Sequence, residues 1–80
     1  MSKKQKLCQR ILSEPKDLRF EELEKVIIAC GYVLDHTTGS HSIYVKLDSP
    51  TLTIPRKTPV KSYLIEQVLV VIGDCLEEML

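Results

Sequence analysis

The sequence has no long apolar run, no secretory pattern and no spaced cysteine motif, and each absence excludes a class of protein. None of its apolar runs approaches the roughly 20 residues that cross a bilayer, so no membrane association is expected. The opening residues, MSKKQK, precede no apolar stretch with a small-residue cleavage site, which argues against a secretory signal. The three cysteines, Cys8, Cys30 and Cys75, are odd in number and lack CxxC spacing. We therefore expect free thiols in or near the core of a reduced, cytoplasmic protein.

The sequence is also poor in ligands for a metal or a cofactor. It contains two histidines, His36 and His41, which are too few to hold a zinc ion, and no cysteine lies at a matching spacing. It has no glycine-rich phosphate loop and no nucleophile elbow that would orient a Ser40–His41–Asp35 triad. We therefore expect neither a metal nor a cofactor.

The charges are segregated along the chain although the net charge is zero. Residues 1–10 contain four basic residues and no acidic one, and residues 39–63 contain four basic residues and one acidic one. Residues 64–80 contain four acidic residues and no basic one. Such blocks can make one face of a molecule basic while the total cancels. The alternative is that each block is simply a solvated face.

Eighty residues suffice for one small domain, and we expect residues 1–80 to form one. Helical spacing of apolar residues predicts helices over 3–13 and 20–30, the second ending at Gly31, and a third from 60 to at least 72. Gly73 either ends the third helix or lies within it, because Leu76 and Leu80 continue its apolar stripe. Alternation with a period of two predicts strands over 32–36, 41–46 and 51–54. The order α(α)βββα predicts an α+β fold, with a three-stranded antiparallel sheet and helices packed on one face.

The predicted register assigns each strand residue to a face. A loop over 37–40 places His36 opposite His41 and Leu34 opposite Ile43, with apolar side chains toward the helices. Tyr44 and Ser42 then lie on the open face. Pairing Ile43 with Ile54 and extending the third strand places Arg56 opposite His41, with Lys57 adjacent.

The constellation of His41, Arg56, Lys57 and Lys61, with His36 and Tyr44 as auxiliary candidates, is the one group that can carry chemistry. Each member also has an ordinary interpretation. His41 at the rim of an apolar face can be a structural histidine, and the cations can be surface charges. Tyr44 can be a cross-strand packing residue.

Several motifs in a fixed order carry a family resemblance. They are Gly39–Tyr44 (GSHSIY), Leu52–Arg56 (LTIPR), and Val60–Lys61 at the start of a helix with Leu64, Ile65, Val68 and Leu69. Upstream of these motifs, the helix that begins with Phe20–Leu23 and ends in Cys30–Tyr32 is part of the same resemblance. Over about residues 18–72 the chain resembles the HicA-type toxins of bacterial toxin–antitoxin systems.

The resemblance implies a fold like that of double-stranded-RNA-binding domains and the activity of a ribosome-independent mRNA interferase, the toxin of a type II system. By motif match the active residue is His41, with Gly39 and Ser40 shaping the start of its strand. The implied partner is a HicB-type antitoxin that covers the active surface. Many relatives carry a second histidine where this chain has Lys57. Residues 1–16, an N-terminal helical extension, and 73–80, an acidic C-terminal end, lie beyond the likeness.

The residue chemistry is compatible with RNA cleavage independently of the resemblance. Metal-independent cleavage needs a base for the 2′-hydroxyl proton and cations for the phosphate, roles that His41 and Arg56 with Lys57 can fill. Single-stranded regions of mRNA enter such a site more readily than a duplex. The alternative function is a non-catalytic RNA-binding or protein-interaction module on the same fold.

Overall fold

The computed structural model describes residues 2–13 and 17–80, and over these residues the chain forms three helices and one three-stranded antiparallel sheet. In chain order the elements are α1 (Lys3–Ser13), α2 (Phe20–Ala29), β1 (Val33–Thr38), β2 (His41–Val45), β3 (Leu52–Pro55) and α3 (Ser62–Glu78). The predicted α+β class and the order ααβββα are confirmed. The sequence also predicts a break at Ser13–Asp17, because Pro15 disfavours a helical conformation of the residue before it, and residues 14–16 of that break lie outside the described residues. No helix within them is long and apolar enough to span a membrane.

The sequence of α2 combines a stripe of buried apolar residues with a signal for each end of the helix. Phe20, Leu23, Val26 and Ile27 are buried at helical spacing. At its N-terminus the Glu22 carboxylate accepts a hydrogen bond from the Arg19 backbone N–H at 3.0 Å, which satisfies one of the donors that a helix start leaves unpaired. Gly31 follows with φ of +94°, the left-handed conformation that ends a helix.

Helix α1 packs against both α2 and α3. Its side chains Cys8 and Ile11 are fully buried in the core. The Arg10 guanidinium donates to the Glu22 carboxylate at 2.9 Å, which ties α1 to the first turn of α2. Helix α1, within the predicted extension, is therefore an integral part of the hydrophobic core.

Helix α3 continues through Gly73, which is one of the two possibilities that the sequence pattern left open. It runs to Glu78, and its buried stripe of Ile65, Val68 and Ile72 extends to Leu76. The acidic C-terminal end therefore forms the last turns of this helix.

The expectation of three free thiols is wrong for two of them. Cys30, at the end of α2, and Cys75, in α3, form a disulfide across 45 residues of chain. Cys8 is a free, buried thiol, as expected, and burial raises its pKa.

The sheet has the predicted strand order but a different register. A two-residue turn, Gly39–Ser40, joins β1 to β2, so Thr38 lies opposite His41. Gly39 has φ of +58° whereas Ser40 has no positive φ, the pattern of a type II′ turn, whose twist suits a hairpin. His36 pairs with Ile43 instead of His41, and the register shifts between Leu34 and His36. The predicted four-residue loop is therefore wrong.

The face of β2 that meets the helices is also the opposite of the predicted one. Ser42 and Tyr44 are buried, whereas Ile43 and Val45 alternate onto the outer face. In β3, Ile54 pairs with Ser42 and Leu52 with Tyr44. The aromatic ring of Tyr44 contributes more apolar surface to the core than an aliphatic side chain at this position would.

Candidate functional site

A cavity of about 350 Å³ lies where the β1–β2 hairpin, the end of β3 and the start of α3 meet. Its lining includes Ser40 and His41 from the hairpin, Lys57 and Lys61 from the connection after β3, and Tyr63 from the first turn of α3. Two separate stretches of the chain thus bring an imidazole and two ammonium groups to one surface, and α3 adds the aromatic ring of Tyr63. His41, Lys57, Lys61 and Ser40 were selected from the sequence, and the structure places them together.

The hairpin positions His41 through its turn and one cross-strand hydrogen bond. Gly39 supplies the positive φ that most side chains disfavour, and His41 is the first residue of β2. The Arg56 backbone N–H donates to the Ser40 carbonyl at 2.7 Å, so the turn is held against the end of β3. Gly39 therefore shapes the backbone before His41 and is not among the residues that line the cavity.

The connection that carries the two lysines is held to the segment before α2. The Val60 backbone N–H donates to the Leu18 carbonyl at 2.8 Å, and the Phe20 backbone N–H donates to the Thr58 hydroxyl at 3.4 Å. Val60 is buried between Lys57 and Lys61, which are exposed. Anchoring at two points fixes the loop while both ammonium groups remain at the surface.

The environment of His41 differs from that of a structural histidine. Its side chain is exposed, and it makes no hydrogen bond or ion pair within residues 2–13 and 17–80. A histidine retained for stability would have its ring nitrogens hydrogen-bonded in the fold. Both nitrogens of His41 are instead available to a bound molecule.

Arg56 does not lie opposite His41, because Pro55 takes that position in the register. The Arg56 guanidinium lies 5.7 Å from the centre of the Phe20 ring, at the start of α2, and the side chain does not line the cavity. The prediction paired β2 with β3 one residue out of register. It therefore assigned Arg56 to the position opposite His41, which Pro55 occupies.

His36 and His41 share the outer face of the sheet without facing each other. The Nδ1 atom of His36 lies 2.6 Å from a carboxylate oxygen of Asp35, and His36 does not line the cavity. Among the described residues no group of three or more His, Cys, Asp or Glu side chains is arranged to hold a metal ion.

Tyr44 lies on the inner face of the sheet, so the prediction that placed it on the open face is wrong. Its side chain is fully buried, and its hydroxyl donates to the Glu24 carboxylate on α2. Burial raises the pKa of Tyr44, and the hydrogen bond to Glu24 raises it further. Tyr44 joins α2 to β2 and does not reach the cavity.

The sequence analysis missed Tyr63 and Thr58. Tyr63 precedes the apolar stripe of α3 that begins at Leu64 and Ile65, and an aromatic residue outside such a stripe is a signal that could have been used. Thr58 acts through its hydroxyl contact to the Phe20 backbone, which no local pattern reveals.

Comparison with known proteins gives one match. A family model described as the HicA toxin of bacterial toxin–antitoxin matches residues 20–73, about two thirds of the chain. Searches of curated proteins and of solved structures gave no match. The matched range begins with α2, includes the sheet and the cavity residues, and ends within α3, so α1 and the last turn of α3 lie outside it.

Proposed function

The chain belongs to the HicA toxin family of bacterial toxin–antitoxin systems, and we propose that it is an endoribonuclease that cleaves mRNA independently of the ribosome with His41 as its catalytic residue. The observation that carries this proposal is the exposed imidazole of His41, which has no hydrogen-bond partner in the described part of the chain and lies in a cavity that also presents Lys57 and Lys61. As a toxin of such a system the protein has an antitoxin partner.

The proposed reaction is transesterification within the RNA backbone. His41 takes the proton of the 2′-hydroxyl, the 2′-oxygen forms a bond to phosphorus, and the bond from phosphorus to the 5′-oxygen breaks. The leaving oxygen takes a proton from the imidazolium or from water. Lys57 and Lys61 offset the negative charge on the phosphate, and the imidazole of His41 can both accept and donate a proton, so the proposed reaction uses no metal ion.

The test is a cleavage assay on purified protein with single-stranded RNA in the presence of EDTA. We expect cleavage that persists in the chelator and gives 2′,3′-cyclic phosphate and 5′-hydroxyl ends. The His41→Ala variant should lose it. His36→Ala is the matched histidine substitution outside the cavity and should keep it. Loss of activity in EDTA with recovery in a divalent ion, or cleavage by His41→Ala, would contradict the mechanism.

A second measurement tests the phosphate ligands separately from catalysis. We propose that Lys57 and Lys61 bind the RNA backbone, so replacing either by Ala should weaken binding of all sequences alike. The slope of log affinity against log salt should fall by about 0.7 per lost contact, the value for single strands. Lys6→Ala, on α1, is the control and should leave the slope unchanged.

Arg56 does not line the cavity, but we propose it as a further ligand of the RNA phosphate, and the same binding assay tests it. It is exposed, and its backbone is bonded to Ser40. A smaller slope in Arg56→Ala would assign its charge to the RNA. An unchanged slope would assign its guanidinium to the contact with the Phe20 ring instead.

A further inference from the structure

Tyr63 is a large side chain in the cavity that the proposed reaction leaves without a role. It lies in the first turn of α3, lines the cavity together with His41 and is 54% exposed. We propose that the Tyr63 ring is a stacking platform for a nucleobase beside the scissile phosphate, and so a determinant of which single-stranded RNA is bound productively. The inference rests on the proposed function, because it assigns a substrate contact at the same site.

The three tyrosines of the chain occupy different environments. Tyr32 and Tyr44 are buried, and their hydroxyls donate to the Pro50 carbonyl and the Glu24 carboxylate, respectively. The Tyr63 hydroxyl makes no hydrogen bond among the described residues. The first two rings therefore stabilise the fold, whereas the third is a half-exposed aromatic surface that the fold leaves unpartnered.

Helix α3 does not need Tyr63 for its packing. Its core stripe consists of Ile65, Val68, Ile72 and Leu76, all buried. Tyr63 lies outside this stripe, on the side of the helix that contributes to the cavity. Tyr63 therefore lines the same cavity as His41 and the two lysines without belonging to the core.

An aromatic ring beside cations suits a single-stranded nucleic acid. Ammonium groups hold the backbone, while bases unpaired from a duplex stack on aromatic side chains. Lys61 lies two residues before Tyr63, and both line the cavity with Lys57. A base stacked on Tyr63 would fix the adjacent phosphate relative to His41, which is the positioning that transesterification requires.

The test measures binding in the His41→Ala background, so that RNA is not consumed. The probes are a six-nucleotide single-stranded RNA and the same backbone with abasic positions. The sequence has no tryptophan, and Tyr63 is its exposed tyrosine, so quenching of tyrosine fluorescence reports a base stacked on this ring. We expect quenching by the RNA and none by the abasic strand.

Two substitutions distinguish the contribution of the aromatic ring to binding from the contributions of the hydroxyl and of side-chain volume. Tyr63→Leu should weaken binding of the RNA roughly 5- to 100-fold and leave affinity for the abasic strand unchanged. Tyr63→Phe should restore the discrimination between the two probes. Equal weakening of both probes by Tyr63→Leu would overturn the proposal, because the side chain would then only pack the cavity. Failure of Tyr63→Phe to restore discrimination would also overturn it, because the hydroxyl would then be the active group.

These measurements distinguish failure of the stacking proposal for Tyr63 from failure of the proposed nuclease function. Base-dependent quenching by a wild-type protein that cleaves no RNA would contradict the nuclease and support the platform. Cleavage by the wild type together with base-independent binding would support the nuclease and contradict the platform.

Discussion

At the scale of single residues, Tyr44 explains why the faces of the sheet were not predictable. Along β2 the aliphatic Ile43 and Val45 alternate with Ser42 and Tyr44, so both sets offer apolar surface. A period of two shows that the faces differ and does not tell which one is buried. On the buried face the Tyr44 hydroxyl donates to the carboxylate of Glu24, which lies 20 residues upstream. A polar partner on another element is invisible to a local pattern.

Removing the Tyr44 hydroxyl tests this contact. Tyr44→Phe should lower the free energy of unfolding by about 1–2 kcal/mol at neutral pH, because Glu24 loses its donor. The raised pKa of Tyr44 keeps its proton in the folded state at pH values where an unfolded tyrosine, with a pKa of about 10, loses it. This contribution to stability is therefore complete below about pH 10 and declines above it.

The measurement is urea unfolding of both proteins from pH 7 to pH 11. The difference between wild type and Tyr44→Phe should shrink at the alkaline end. A difference that stays constant across the series would mean that Tyr44 titrates alike in the folded and unfolded states.

At the scale of elements, the helices were more predictable than the strands. The apolar stripe and Gly31 locate α2, and the spacing of α1 predicted its bounds at residues 3 and 13. The end of α3 could not be fixed from the sequence, because a glycine can end a helix or lie within one, and the structure places Gly73 within the helix before the buried Leu76. The hairpin was misplaced because Thr37 and Thr38 suit a turn as well as a strand, and the pairing extends through both. The same error displaced His36 in the predicted site, whereas His41 and Lys57 were unaffected.

Two glycine substitutions test the local conformations. Gly39→Ala should lower the free energy of unfolding by about 1–2 kcal/mol, because φ of +58° strains any residue with a Cβ although the space around it is open. Gly73→Ala is the matched control. It adds a Cβ into open space inside a helix and should raise stability by about 0.5–1 kcal/mol. Chemical denaturation of the two variants measures the change in the free energy of unfolding for each. A Gly39→Ala variant that is more stable than the wild type would contradict the turn assignment.

At the scale of the whole molecule, the segregation of charge in the sequence becomes a separation in space. Lys57 and Lys61 lie at the cavity beside the start of α3, whereas Asp74, Glu77 and Glu78 lie in its last turns. The helix has 17 residues, so roughly 24 Å of helix separates its two ends. We propose that the antitoxin is of the HicB type and presents acidic side chains that compete with RNA phosphate for the basic end.

Hydrogen exchange with and without the antitoxin tests this surface. Complex formation should slow exchange at residues 39–44 and 54–61, which form the hairpin and the loop around the cavity. Slower exchange confined to α1 would indicate inhibition at a distance and would contradict a partner that covers the cavity.

The central claim is that this toxin acts through His41. The most direct measurement is induction of the wild type and of His41→Ala at equal abundance in a bacterial host without the antitoxin, with growth and bulk mRNA followed together. We expect arrest of growth and loss of mRNA with the wild type and neither with His41→Ala, while circular dichroism shows both proteins folded. Equal toxicity of a folded His41→Ala protein would contradict it.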